Sequence, residues 1–452
     1  MTQCIQDSFE FEAHFSRAVT ARFDGGAVTS DAGALLLREA ERRIGLLSRL
    51  AACFDDRRDP SLTRHAVAEM VAQRVYALAL GYEDLNDHDQ LREDPLLAVL
   101  SGKREAGAQP LAGKSTLNRL ELSTAQPSRY KKIHCRQEAV DKLLVDVYLE
   151  AHEAAPELIV LDLDVTDLPL HGHQEGRFFH GYYDEYCYLP LYVFAGEHLL
   201  CARLRTADQD AAAGSKEEVA RIVGQIRQRW PEVEILVRAD SGFCREELMA
   251  WCEAHGVGYV LGFARNERLR KRIAPQMEEA ARLQQATGKP ARVFTEFQYQ
   301  TTTGSWSRAR RVVAKAEQIE GKENPRYVVT NLSAERWPAQ ALYEELYCAR
   351  GEMENRIKEQ LSLFAARVSA ETMQANQVRL NLAGCAYVLL HALRRLGLKG
   401  TGMEHAQATT IRLRLLKIGA RIRITARRIW LSMASGFPLE ATFRQAWAQL
   451  RC

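Results

Sequence analysis

Three carboxylates, contributed by distant parts of a 452-residue chain, define the chemistry this sequence can do. Asp164 lies in LIVLDLDVTDL, Asp240 in ILVRADSGF and Glu354 in YCARGEMENRIKE. The first two follow apolar runs of strand type, Leu158-Ile159-Val160-Leu161 and Ile235-Leu236-Val237, so each is expected at or just past a strand end. Acids on two strand ends and a helix can converge despite their separation in sequence. Converged, they suit a pair of divalent ions about 3.5–4 Å apart that clamp the attacking and leaving oxygens of an in-line phosphoryl displacement. Mg²⁺ favours carboxylate oxygen and keeps waters at its other positions. The expected chemistry is metal-dependent attack on a phosphodiester.

The third acid sits in a stretch of helical period. Tyr347, Arg350, Glu354 and Lys358 stand at i, i+3, i+7 and i+11, one narrow stripe of a 3.6-residue helix. Leu342, Leu346, Met353, Ile357, Leu361 and Phe364 make the neighbouring stripe, expected to face the core. Glu354 would then border the core at the rim of a site. Arg350 and Lys358, about a turn to either side, would ease the approach of a polyanion to clustered acids. The plainer reading is a solvated face with i,i+4 Glu–Lys pairing, worth a few tenths of a kcal/mol; the two strand-end acids weigh against it. On the first strand, Asp162 and Asp164 share a parity and so one face, and the residues alone leave both open. Asp167 reads as a turn residue before Pro169, and Ser241 as the N-cap of a helix reaching Trp251.

The elements that must position these groups follow from the pattern. Residues 1–155 are mostly helical in pattern, with an N-cap candidate and helical apolar spacing over Ser61–Leu80 and a loop expected over Gly107–Gly113. Lys114, Arg119, Arg129, Lys131 and Lys132 could meet phosphates there. From Pro156 the period turns to two: strands Leu158–Val165, Tyr188–Ala195 and His198–Ala207, then a helix over Gly214–Trp230, strand Glu234–Ala239, a helix to His255 and strand Gly258–Phe263. Residues 264–341 read as a β-rich insertion with strands Ala291–Gln300, Arg308–Ala316 and Arg326–Thr330, the first two parted by the turn Thr301–Gly304. Within it Trp306 leads as a stacking platform for an unpaired base, beside Arg308 and Arg310; the alternative is a small β core with a solvated basic edge. Residues 342–364 form the third-acid helix. After them Thr410–Leu431 alternates about a Gly419-Ala420 turn, predicting a hairpin with Arg412, Arg414, Arg421 and Arg423 on its polar face.

Charge is unevenly placed. From Ala365 to the end, twelve Arg and two Lys face three Glu, a formal +11, which leaves −8 for the rest of a +3 chain. That asymmetry points to a polyanion-facing tail region. Ten cysteines show no CxxC pair or zinc-type spacing and read as reduced core residues of a cytosolic protein. No amino-terminal signal pattern stands out, and the apolar run near Leu382–Leu393 is too short for a bilayer span, so no membrane is expected.

These residues resemble a known family. Tyr347-x2-Arg350-x3-Glu354 resembles the YREK signature of bacterial insertion-sequence transposases of the DDE type. FDGGAVTSDAGALLLREAERRIGL, GYEDLNDHDQLREDP, STLNRLE, HGYYDEYCYLPLYVF, RADSGF, YVVTNL and LRLLKIGARIRITARRIWL resemble landmarks of the DDE group-one transposases. One position departs: the signature's basic residue belongs seven places after the Glu, where this chain has Leu361, and Lys358 and Arg356 are the nearest cations. The resemblance implies an α/β architecture: a ribonuclease H-like catalytic domain (156–263 with 342–364) interrupted by the β-rich insertion. An N-terminal helical, DNA-binding domain and a basic C-terminal region (365–452) would flank it. It favours Asp164, in its Asp-x-Thr context, as the first acid. Asp164, Asp240 and Glu354 would be catalytic and hold two Mg²⁺, with Mn²⁺ as a substitute, while Tyr347, Arg350 and Lys358 attend the phosphates. The implied activity is cut-and-paste transposition: binding terminal inverted repeats, hydrolysing the ends and joining the 3′-hydroxyls to target DNA. A homodimer on double-stranded DNA, cytoplasmic and nucleoid-associated, is implied with it. Two other readings stand: a ribonuclease H-like nuclease without strand transfer, such as a junction resolvase, and a non-catalytic DNA-binding descendant of a transposase.

Overall fold

The computed structural model describes residues 8–103, 109–124, 126–301 and 304–451. Parts of the expected loop Gly107–Gly113 and turn Thr301–Gly304 therefore lie outside the described residues. The chain divides into two compact units: Arg136–Gly384, and a second built from the segments up to Cys135 and from Cys385 onward.

The unit Arg136–Gly384 is mixed α/β. Its strands are β1 (Leu158–Val165), β2 (Leu168–Pro169), β3 (Phe178–His180), β4 (Glu185–Tyr188), β5 (Leu191–Ala195), β6 (His198–Arg203), β7 (Glu234–Ala239), β8 (Gly258–Phe263), β9 (Ala291–Tyr299), β10 (Arg310–Ile319), β11 (Lys322–Glu323) and β12 (Arg326–Thr330). Nine of them form one sheet in the order β6-β5-β1-β7-β8-β12-β10-β9, with β11 paired to β10. β1, β7 and β8 run parallel, and β5, β6 and β12 join antiparallel. β2, β4 and β3 make a small sheet of their own.

Strand alternation divides the core. Ile159, Leu161, Leu163, Ile235, Val237, Tyr259 and Leu261 enter one buried cluster with Val219, Ile222 and Ile226 of the helix Ser215–Arg229. Leu236, Val260, Val313 and Val328 point to the opposite face and pack against Leu342, Tyr343 and Leu346. Parity thus decides which residues of β1 and β7 face the third-acid segment: the even-numbered ones, Asp162, Asp164 and Arg238 among them, with Asp240 just past the end of β7.

Segment 264–341 does not make a sheet of its own. β12 pairs with β8 from Val260↔Thr330 to Phe263↔Tyr327, and β10 and β9 continue outward. An apolar, β-branched run such as Tyr327-Val328-Val329 completes the open edge of β8, so the segment extends the main sheet rather than standing beside it.

The third-acid segment is helical but not one regular α-helix. Residues Leu342–Tyr347 form a π turn and Cys348–Arg350 a 3₁₀ turn, before an α-helix over Gly351–Ser362. Such local changes of pitch are frequent at functional sites.

In the other unit, helices Leu35–Ile44, Val67–Leu80, Lys114–Glu121 and Glu440–Arg451 accompany a three-stranded sheet of Val28–Thr29, Ala420–Ile424 and Ile429–Met433. The expected C-terminal hairpin is displaced. Ala408–Ile411 and Arg412–Leu416 are helical, and the hairpin begins only at Ala420, turning at Thr425–Arg428. The burial of Ile411, Arg412, Leu415 and Leu416 is a helical spacing that the alternation of IRLRLL masks. Arg421 and Arg423 do share the exposed side of the strand Ala420–Ile424, whereas Arg412 is buried over Gly81 and Arg414 lies exposed on the helical turn.

Of the described cysteines none is in a disulfide, and six of the eight are buried. No helix of the described residues is long and apolar enough to cross a membrane.

Candidate active site

The parallel register of β1 and β7 builds the site. Arg238 stands opposite Asp162 and Ala239 opposite Leu163, so the next position along the pair sets Asp240 beside Asp164, at the carboxyl ends of two neighbouring strands. Asp240 leaves the strand in extended backbone, and its Oδ1 accepts the Gly242 N–H at 2.8 Å, capping the 3₁₀ turn Ser241–Phe243. The capping group at this corner is therefore Asp240 itself and not Ser241; the following helix, Glu246–Ala254, has no side-chain cap. The corner is tight: a Cβ on Gly262 would lie 2.7 Å from the Ser241 nitrogen and 2.6 Å from the Tyr347 hydroxyl. Glycine at 262 is what lets Tyr347 come down onto the sheet beside Asp240.

The two aspartates of β1 have different work. Asp162 is buried and accepts two hydrogen bonds from Arg238, Nε at 2.5 Å and Nη2 at 2.7 Å. The third arm of Arg238 donates to the Leu346 carbonyl at 2.6 Å, joining β1 and β7 to the third-acid segment. Asp162 is thereby consumed in a structural pair. Asp164 Oδ2 instead accepts from Arg350 Nη1 at 3.0 Å, and its Oδ1 accepts the Val165 N–H at 2.9 Å. Burial pushes the Asp164 carboxyl up to about 6; the charges of Asp240 and Glu354 push the same way, against Arg350 and the Val165 amide.

Arg350 is the hub of the acids. Besides Asp164 it approaches Glu354, Nη2 to Oε1 at 3.6 Å, and feels Asp240 as well. Glu354 is exposed on the first turn of its helix, while Met353 and Ile357 face inward, as the two stripes predict. Lys358 is exposed and pairs with no carboxylate among the described residues, whereas Arg356 is taken by Glu197 and Glu359. Lys358, four residues after Glu354, is thus a cation without a carboxylate partner among the described residues.

Other expected contacts are redirected. Trp306 is 5% exposed, with Phe263 at 5.0 Å and Tyr299 at 5.8 Å between ring centroids, so it is a core residue and offers no face to a base. Arg310 is buried between Glu246 and Glu253, and Arg308 also pairs with Glu253. Their acids come from the helix Glu246–Ala254, about sixty residues upstream, which no local signal announces. Lys114 pairs with Asp89 at 2.9 Å on the surface, and Arg119 is exposed. For Arg238 the sequence carries a signal of its own, a charge inside the apolar run ILVRAD, two places before an acid and on its face.

The donor set is one of hard oxygens: two aspartates side by side and a glutamate linked to one of them through Arg350. That chemistry fits a divalent cation of the Mg²⁺ type, whose arrival would relieve the raised Asp164 carboxyl. No group of three potential ligands among the described residues stands close enough to hold a metal in this arrangement. Arg350 instead supplies the positive charge that Asp164 and Glu354 share.

A family model described as transposase DDE domain group 1 matches residues 11–452. Among solved structures, a piggyBac transposase synaptic complex with hairpin DNA, determined by cryo-EM, is similar at 11% identity. That match covers 86% of this chain and 80% of the other, with a TM-score of 0.40. No curated protein matches.

Proposed function

The chain belongs to the transposases with a group 1 DDE domain, and from that premise we propose that it is the cut-and-paste enzyme of a bacterial insertion sequence. It binds the element's terminal inverted repeats, hydrolyses the ends and joins the freed 3′-hydroxyls to target DNA. The observation that carries the site is the same-face placement of Asp164 and Asp240 at adjacent parallel strand ends, with Arg350 bridging to Glu354. The order β6-β5-β1-β7-β8, in which only β5 runs against the common direction, supports a ribonuclease H-like core.

Asp164, Asp240 and Glu354 would hold two Mg²⁺, replaceable by Mn²⁺, which supply Lewis acidity at the scissile phosphate and a deprotonated water. The protein's own groups do the positioning. Arg350 holds Asp164 in the absence of DNA and transfers its donors to a phosphate when the strand arrives. Tyr347, seated over Gly262, limits where Arg350 can go. Lys358 meets the backbone beyond the acids. Arg119, Arg414, Arg421 and Arg423, all exposed, serve as phosphate contacts. A homodimer handles the two ends together, in the bacterial cytoplasm at the nucleoid.

Sequencing the DNA that flanks the reading frame supplies the matched inverted repeats for the test. A labelled repeat end is incubated with protein, Mg²⁺ and plasmid. Cleavage and joining are expected from the wild type. Asp164→Asn, Asp240→Asn and Glu354→Gln should each lose both while still binding the repeat. Cleavage without joining would leave a nuclease, and binding without cleavage a non-catalytic descendant.

A further inference from the structure

Within Arg136–Gly384, the exposed aromatic residues are concentrated in one place. Of the described residues of this unit, the exposed large hydrophobics are Phe178, Phe179, Tyr182, Tyr186, Leu283 and Ile319, and all four aromatics fall in nine consecutive positions. They belong to the small sheet of β2, β4 and β3, which leaves the main sheet three residues after β1 ends and returns to it at β5. Phe178 is 41% exposed and Phe179 52%, although successive strand residues point to opposite faces. Rings are therefore presented on both sides of the ribbon, while Tyr183 in its turn packs against the small cluster of Cys187, Leu189 and Ala207. Tyr182, at the tip, is 84% exposed.

The root of the ribbon is fixed. Glu175 N–H donates to the Glu371 carbonyl at 2.8 Å, Met373 N–H donates to the Glu175 carboxylate at 2.9 Å, and the Tyr188 hydroxyl donates to the Glu175 carbonyl. The cation of the ribbon is unsatisfied. Arg177 lays its guanidinium on the Tyr186 ring at 3.5 Å, pairs with no carboxylate among the described residues, and has a buried Nε with no hydrogen-bond partner. The ribbon also adjoins the acids: Tyr183, between Tyr182 and β4, feels the charges of Asp167 and Asp164.

We propose that this ribbon is a nucleobase-binding element. Phe178, Phe179, Tyr182 and Tyr186 stack unpaired bases of single-stranded DNA, and Arg177 takes a phosphate of the same strand. The proposal rests on the transposase reading for its substrate, and it adds a site for bases where that reading has only sites for phosphates. Chemistry selects the ligand. Flat rings on two faces, with a stacked guanidinium and three histidines (His171, His173 and His180) interspersed, suit splayed bases, because every base offers a π face and every link a charge. An apolar protein partner would instead ask for a continuous one-sided face.

The test uses the full chain with a short labelled single-stranded oligonucleotide of mixed sequence and the duplex made from it. Phe179→Ala with Tyr182→Ala should weaken single-strand binding by about tenfold or more, on the scale of base–aromatic stacking, and leave duplex binding within about twofold. Tyr182→Phe, which keeps the ring, should bind as the wild type does. Both positions are exposed, and an unchanged thermal transition checks that the double variant folds. Equal losses on single strand and duplex, or no loss on either, overturn the proposal; the latter would assign the rings to a protein contact. Metal-dependent cleavage of the repeat duplex is measured in parallel. Cleavage with an intact single-strand affinity in the double variant defeats the ribbon alone. Ring-dependent binding without cleavage in the wild type defeats the transposase reaction alone.

Discussion

Replacing Asp164 by Asn should stabilise the protein. The carboxyl is raised from 3.8 to about 6 by burial and by its acidic neighbours, so the folded state holds its proton more tightly than the unfolded chain does. A group of this sign favours folding fully below pH 4, and the benefit is lost as pH rises through 6. That rise corresponds to roughly 3 kcal/mol against folding at neutral pH. The neutral, nearly isosteric amide escapes that penalty. The variant should therefore gain about 1 kcal/mol near pH 4.5 and about 3 kcal/mol near pH 7.5. Urea unfolding followed by tryptophan fluorescence is the assay, because Trp230, Trp251, Trp306 and Trp337 all lie in the unit that holds Asp164. A gain independent of pH, or a loss at pH 7.5, would refute the reasoning that the carboxylate is held at a cost. Addition of Mg²⁺ should raise the wild-type midpoint and leave the variant's nearly unchanged.

The neighbouring Asp162→Asn should do the opposite, losing about 3–5 kcal/mol in the same assay because Arg238 would keep a buried charge without its anion. Gly262→Ala should cost about 1–3 kcal/mol, since backbone at Ser241 cannot yield to the new methyl as a side chain could, and cleavage should fall further than repeat binding. Neutralising Arg421 and Arg423 should reduce the slope of log K against log salt by roughly 0.9 for each phosphate contact removed, without altering the metal requirement; an unchanged slope would make them a solvated face.

The two acid-bearing strands were legible because their signals are local. LIVLDLD and ILVRAD each join an apolar run to a terminal acid, and the period of two states which residues share a face. The stripe of Met353 and Ile357 was equally readable, and it predicted which side of the helix carries Glu354. What could not be read depends on distant partners. Trp306 sits in a polar segment and looks exposed until Phe263 and Tyr299 close over it. Arg310 looks like a phosphate contact until Glu246 and Glu253 arrive from a helix far upstream. The choice between Asp162 and Asp164 also turned on a partner, Arg238, whose role needs the strand register. Alternation misled at IRLRLL, since a short helical turn and a strand can both bury leucines at those positions.

The continuity of the main sheet has a mechanical consequence. Because β9, β10 and β12 are laddered through β8 to the strands that end in Asp240 and Asp164, the outer segment is not a flap on a hinge. Nine strands bound edge to edge behave as one elastic plate. A load taken up at β9 reaches the acids as a change in twist and shear between neighbouring strands. Asp164 and Asp240 sit on two adjacent strands, so the spacing between them is the quantity that such a deformation would tune.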